Sequence, residues 1–211
     1  MPDTLKRKAD MRKAAAGRRA AAFARHGGKA GTRLAAAGLD RLGAPPARVV
    51  SGFGAIGEEI DPLPLMKRLA GEGYRLCLPV MQGRAQPLLF RAWSPGDPTA
   101  ETIWGIREPL STAPAVEPDV VLAALLLYDL DGYRLGYGGG HYDRSLNGLR
   151  QRKSVISIGL AYEEQRVDQV PRLDYDARLD WILTPAGLID CRAGGSTPAA
   201  PPAGSPAPPQ G

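Results

Sequence analysis

The run Val-Val-Leu-Ala-Ala-Leu-Leu-Leu-Tyr at residues 120–128 is the longest apolar stretch of the chain, and Arg134-Leu-Gly-Tyr-Gly-Gly-Gly-His-Tyr-Asp-Arg144 follows it. A run apolar on both faces suits a strand buried inside a parallel sheet. A glycine-rich loop after such a strand suits an anion. Gly136, Gly138, Gly139 and Gly140 lack Cβ atoms, so the backbone can turn successive N–H groups toward a phosphate. Arg134 and Arg144 can fork onto phosphate oxygens, and Asp143 stands where a phosphate-bound Mg²⁺ needs an oxygen ligand. The segment fits neither G-x-x-x-x-G-K-[ST] nor G-x-G-x-x-G with its acidic ribose ligand. Its interleaved aromatics, arginines and aspartate set it apart from a plain linker.

Around this centre, helical patterning covers residues 4–25 and 31–42, and Pro45-Pro46 ends the second helix. Strands are expected at 48–54, 75–80, 86–93, 120–128, 154–161 and 181–184. A helix starts at Asp61-Pro62 and stops at Gly71 and Gly73, and another spans 142–151. The proline-punctuated stretch 94–118 reads as loop with a short element near Trp104. Alternating strands and helices predict an α/β fold, a three-layer α/β/α sandwich with a mainly parallel sheet. Its ligands would sit beyond the carboxyl ends of the strands. Glu58-Glu59 and the glycine loop both follow strands, so they can face one cleft. Residues 193–211, AGGSTPAAPPAGSPAPPQG, lack apolar periodicity and are expected to be a disordered tail on a single domain of residues 1–192.

At 211 residues and 44 % hydrophobic, the chain is long enough for one well-buried domain and short for two. A net charge of +5 set against 22 acidic residues points to anionic small ligands more than to a nucleic-acid coat. The charge is uneven: residues 5–25 carry many basic side chains and one acid, Asp10, on an alanine-rich background. Nothing resembling a cleavage region follows this stretch, so it reads as a helix of the mature protein. No window has the ~18 apolar residues of a membrane span, and a cytoplasmic protein without membrane partners is expected. Cys77 and Cys191, with His26 and His141, are spaced for neither a disulfide framework nor a zinc site.

With these pieces laid out, the chain resembles the 5-formyltetrahydrofolate cyclo-ligases, also called 5,10-methenyltetrahydrofolate synthetases. Their loop is usually R-L-G-x-G-x-G-Y-Y-D, and residues 134–143 reproduce it with His141 in place of the first tyrosine. The family opens on a basic helix with K-x-x-L-R; Lys8-Ala-Asp-Met-Arg12 is similar, with Met11 for leucine. Gly54-Ala-Ile-Gly-Glu-Glu-Ile-Asp61 resembles its acidic segment after a strand, and Trp104-Gly-Ile-Arg-Glu-Pro109 its W-x-I-x-x-P. Gln169-Val-Pro171, followed by Asp174-Tyr-Asp176, resembles the segment that supplies a second acidic metal contact. One departure is Ala123-Ala124-Leu125-Leu126, where the family often has proline.

The resemblance implies a fold like the NagB/RpiA/CoA-transferase group and a monomer using 5-formyltetrahydrofolate, ATP and Mg²⁺. The reaction would be cyclisation to 5,10-methenyltetrahydrofolate with release of ADP and phosphate. It further implies Lys8, Arg12, Arg134, Leu135, Gly136, Tyr137, Gly138, Gly139, Gly140, His141 and Tyr142 at ATP. Gly54, Glu59, Trp104, Tyr137, Gly138, Gly139, Gly140 and His141 would meet the folate. Arg134, Tyr142 and Asp143 would serve catalysis, and Asp143 with Asp176 would hold the metal. Lys8 and Arg12, four residues apart, share a helical face and could clamp phosphates from the side opposite the loop. Glu58 and Asp61 compete with Glu59 for the pterin. Two other readings stay open: a related ATP-using enzyme with a non-folate substrate, and a nucleic-acid module using the basic helix.

Overall fold

The computed structural model describes residues 1–39, 48–102 and 105–192. Seven strands form the central sheet. In chain order, the parallel members are β1 (Val49–Ser51), β2 (Arg75–Met81), β6 (Val120–Ala124), β9 (Ile156–Leu160) and β10 (Trp181–Thr184). The antiparallel edges are β3 (Leu88–Ala92) and β11 (Gly187–Asp190), giving the order β11-β10-β9-β6-β1-β2-β3. Two small ribbons stand apart: β4 (Thr99–Glu101) with β5 (Arg107–Pro109), and β7 (Leu127–Tyr128) with β8 (Arg134–Leu135).

The central strands are apolar on both faces because both are covered. Val50, Val120, Leu122, Ile158 and Leu160 pack with Leu34 of α2 (Lys29–Ala37) and Leu65 and Leu69 of α3 (Leu63–Gly71). Their neighbours Val49, Val121, Ala123 and Ile182 point the other way, onto Leu146 and Leu149 of α4 (His141–Arg150). The period-two alternation of the strands thus distributes the core between two helical layers.

The long α1 (Pro2–His26) buries Lys8, Ala15, Arg19 and Ala22, which lie along one helical stripe. Ala15 packs with Leu126, Leu127, Leu135 and Val170, and Met11 joins this third cluster. The helix is pinned at its end, where His26 stacks on Tyr162 at 5.9 Å and meets Glu164 at 2.9 Å. Among the described residues no helix is long and apolar enough to cross a membrane. Cys77 and Cys191 are free and buried, and desolvation pushes each thiol up to about 12.

The structure corrects several sequence expectations. The second helix stops at Ala37, where Gly38 at φ 57° takes the cap; the expected extension to Leu42 and the Pro45-Pro46 stop lie outside the described residues, as do 193–211. The loop 94–118 contains the β4-β5 ribbon. The apolar run 120–128 is two strands, since the chain leaves the sheet after Ala124. Gln165, 1 % exposed, holds this break: its Nε2 donates to the carbonyls of Leu125 and Leu126 at 3.0 Å each, and its Oε1 accepts from the Tyr162 N–H at 2.8 Å. Gln165→Leu strands those three backbone groups and is expected to destabilise by about 3 kcal/mol, measurable by denaturant unfolding; a midpoint like wild type would contradict this account.

Candidate functional site

A cavity of about 320 Å³ opens beyond the carboxyl ends of β1, β2 and β6, lined there by Phe53, Gly54, Pro79, Met81 and Ala124. The glycine loop lines the same cavity. Gly138 (φ 100°) and Gly140 (φ 65°) turn the chain through the left-handed region, and α4 begins immediately at His141. Backbone N–H groups of the loop and of the first helical turn are thereby presented together, a natural cradle for phosphate.

Helix α1 closes this side. Arg12 Nε donates to the Gly136 carbonyl at 2.8 Å, and its guanidinium is so near the loop that a Cβ on Gly138 would lie 3.3 Å from it. Lys8, 6 % exposed, is ion-paired with Asp176. Both basic residues line the cavity, but they reach it against the loop and the Asp176 segment, not as a detached clamp facing them.

Arg134 is buried, and its terminal nitrogens are committed: one donates to the Ala177 carbonyl at 2.8 Å, the other to Asp143 Oδ1 at 2.9 Å. The same Oδ1 accepts the Ala177 N–H at 3.0 Å. Asp143 therefore ties α4 to the segment that carries Asp176, helped by Asn147, which donates to the Tyr175 carbonyl at 3.0 Å. Arg144, expected to reach phosphate, donates instead to the Gly139 carbonyl. Among the described residues, neither Asp143 Oδ2 nor Asp176 Oδ1 accepts a hydrogen bond. Two carboxylates of one cavity, each with an oxygen to offer, fit Mg²⁺, which takes one or two carboxylates and completes its shell with water and phosphate.

Glu59, 6 % exposed, lines the same cavity. It accepts from the Ile56 N–H at 2.9 Å and from the Tyr137 hydroxyl at 3.0 Å, and Arg19 lies 3.7 Å away. Desolvation raises its pKa, an effect these three partners only partly oppose. The competitors are separated by geometry. Asp61 Oδ1 accepts the Leu63 N–H at the start of α3, Glu58 pairs with Arg19 at 3.5 Å, and neither lines the cavity. Leu5, Ile56, Tyr137 and Tyr175 are exposed apolar side chains at the cavity wall, suited to covering flat rings.

Of the other expected residues, Leu135, Gly136, Gly139, Tyr142 and His141 line the cavity, His141 with its Nδ1 2.9 Å from the Gln86 carbonyl. Burial pushes the Tyr142 hydroxyl well above its usual range. Trp104 lies outside the described residues. Sequence reasoning missed Glu108, buried in the cavity wall and accepting the Met81 N–H at 3.0 Å. Its only signal was its place within the W-x-I-x-x-P match. Arg19 was missed altogether.

The sequence profile of the 5-formyltetrahydrofolate cyclo-ligase family matches residues 4–185. The chain belongs to this family. It is 36 % identical to the Haemophilus influenzae 5-formyltetrahydrofolate cyclo-ligase over 130 residues, 59 % of this chain and 69 % of that protein. Against the Escherichia coli K12 enzyme of the same name it is 33 % identical over 145 residues, 66 % of this chain and 79 % of that one. The solved structure of Aquifex aeolicus 5,10-methenyltetrahydrofolate synthetase superposes with a TM-score of 0.66 at 26 % identity, covering 91 % of this chain and 96 % of its own. For this cyclo-ligase family member the cavity is thus the candidate active site, lined by a phosphate-suited glycine loop and by the buried carboxylate of Glu59.

Proposed function

We propose that the chain catalyses ATP-dependent cyclisation of 5-formyltetrahydrofolate to 5,10-methenyltetrahydrofolate, releasing ADP and phosphate. The observation that carries this reading is the continuity of the cavity: the glycine loop, Asp143, Asp176 and buried Glu59 line one space. The formyl oxygen is a poor leaving group. In the proposed route it attacks the γ-phosphorus of ATP as the bond to ADP breaks; N10 then attacks the formyl carbon and gives up its proton to solvent, and the C–O bond breaks with departure of phosphate. Holding both reactants in one cavity supplies the alignment such a transfer requires.

The chain's own residues divide this work. Loop N–H groups, Arg12 and Lys8 take up charge on the phosphate oxygens. Arg134 orients Asp143 through the 2.9 Å contact. Glu59 accepts hydrogen bonds from the pterin's donor groups, and the exposed aromatic walls cover the rings. Asp143 and Asp176 are the residues that would hold Mg²⁺, whose role when bound is to neutralise charge on the phosphates. The basic face of α1 serves this site rather than a nucleic acid, in keeping with the burial of Lys8 and Arg19. Two buried free thiols accord with a reducing, cytoplasmic setting, and we read the working unit as a monomer.

The test follows absorbance of the methenyl chromophore while the protein is mixed with 5-formyltetrahydrofolate, Mg²⁺ and ATP, with ATP omitted as control. An ATP-dependent rise is expected. No rise from protein that still binds Mg²⁺ and ATP would overturn the folate assignment and leave the nucleotide half standing.

A further inference from the structure

Arg19 belongs to no motif of the family resemblance, yet at 7 % exposure it is among the most buried charged side chains of the described residues. It projects from α1 to the point where two functional segments meet. Its guanidinium donates to the Tyr137 hydroxyl, which in turn donates to Glu59 Oε1 at 3.0 Å. The same guanidinium lies 3.7 Å from Glu59, 3.5 Å from Glu58 and 5.5 Å from the centre of the Tyr137 ring. Among the described residues its buried Nε has no hydrogen-bond partner. A buried guanidinium with an unmatched nitrogen is poor packing for its own sake, whereas a counter-charge beside an otherwise desolvated carboxylate has a use.

We propose that Arg19 is a positioning residue for substrate recognition: through Tyr137 and its own charge it holds Glu59 as an oriented hydrogen-bond acceptor and ties that carboxylate to the glycine loop. Tyr137 sits within the loop between Gly136 and Gly138, so one hydroxyl links Glu59 directly to the glycine loop. The substrate part of this inference rests on the reading of Glu59 as the folate acceptor. The groups facing Glu59 are Arg19 from α1, Tyr137 from the loop and Tyr142 from α4, with Glu58 beside it on its own segment. Arg19 is the only cation among these four. Burial works against its charge, but Tyr137, Glu59 and Glu58 outweigh burial and leave its pKa raised.

The test uses the full chain labelled with ¹³C at glutamate carboxyls, with Glu59→Gln assigning the Glu59 resonance. Arg19→Met is expected to move the Glu59 titration midpoint upward by about one pH unit, and Arg19→Lys to restore part of that change. Tyr137→Phe, which removes a hydroxyl from a ring 58 % exposed, is a second variant that leaves the core untouched; it is expected to move the midpoint in the same direction. In turnover, Arg19→Met should raise KM for 5-formyltetrahydrofolate about tenfold while KM for ATP changes much less. A common midpoint in wild type, Arg19→Met and Tyr137→Phe overturns the proposal. So does an equal loss toward both substrates that lysine does not rescue. A wild type that makes no methenyl product would remove the folate reading, and the carboxyl titration would still decide the linkage between Arg19 and Glu59.

Discussion

Asp143→Asn is expected to lower turnover by about a hundred- to a thousandfold with the fold intact, the scale of losing one well-placed electrostatic group at a transferring phosphoryl. The amide can still offer one oxygen to the Ala177 N–H and to Arg134, the two donors that Asp143 Oδ1 now serves at 3.0 and 2.9 Å. What it lacks is the charge and the second oxygen. Steady-state turnover measured across a Mg²⁺ titration checks this, with circular dichroism confirming the fold. Near-wild-type turnover at ordinary Mg²⁺ would remove Asp143 from the metal site. Asp143→Ala is a different experiment, because it leaves the buried Arg134 without its carboxylate and would destabilise by about 3 kcal/mol or more.

Glu59→Gln is expected to raise KM for 5-formyltetrahydrofolate about ten- to a hundredfold, the range for hydrogen bonds to a charged group, and to leave KM for ATP little changed. An equal rise for both substrates would count against Glu59 as the folate acceptor. The pH dependence has a definite sign. Desolvation raises the pKa of Glu59, so the ionised acceptor is lost at a higher pH than for an exposed glutamate. As pH falls toward the carboxylate range, wild-type KM for the folate should rise early, and the glutamine variant should lack this limb. For stability the same shift runs the other way. A carboxyl whose folded pKa is raised contributes most below its unfolded value, and that contribution disappears as pH rises through the folded value. Ionised Glu59 is therefore kept at some expense of stability near neutrality, a trade often seen where activity depends on a buried charge.

How much could be read from the sequence alone depends on which physical signal each part carries. The strand at Trp181–Thr184 agrees with its sequence reading to the residue, because a short apolar segment bounded by Asp180 and by Pro185 has sharp ends. The single strand expected at 120–128 failed because hydrophobicity does not report where a backbone leaves its neighbours. That break is imposed by Gln165, roughly forty positions away in sequence. The β4-β5 ribbon, with exposed residues such as Glu101 and Arg107, offers no apolar alternation to detect. At the site, the glycine loop was legible because its residue types are costly anywhere else. Arg19 was not, since a basic residue in a basic helix looks like solvated surface until tertiary packing turns that face inward.

Helix α1 has a consequence for how such a chain can vary. Lys8, Arg12 and Arg19 meet Asp176, the loop carbonyl of Gly136, and the Tyr137–Glu59 pair in turn, so one rigid rod spaces three stations of the cavity. At 3.6 residues per turn, inserting a single residue between positions 12 and 19 would rotate everything beyond it by about 100°. Arg19 would then face solvent, and the register of Ala15 and Ala22 against the body would be lost with it. Substitutions on the outer face of this helix are readily tolerated in such an arrangement, whereas changes in its length are not. Along α1 the number of residues between charges is itself a functional quantity, as a ruler's graduations are.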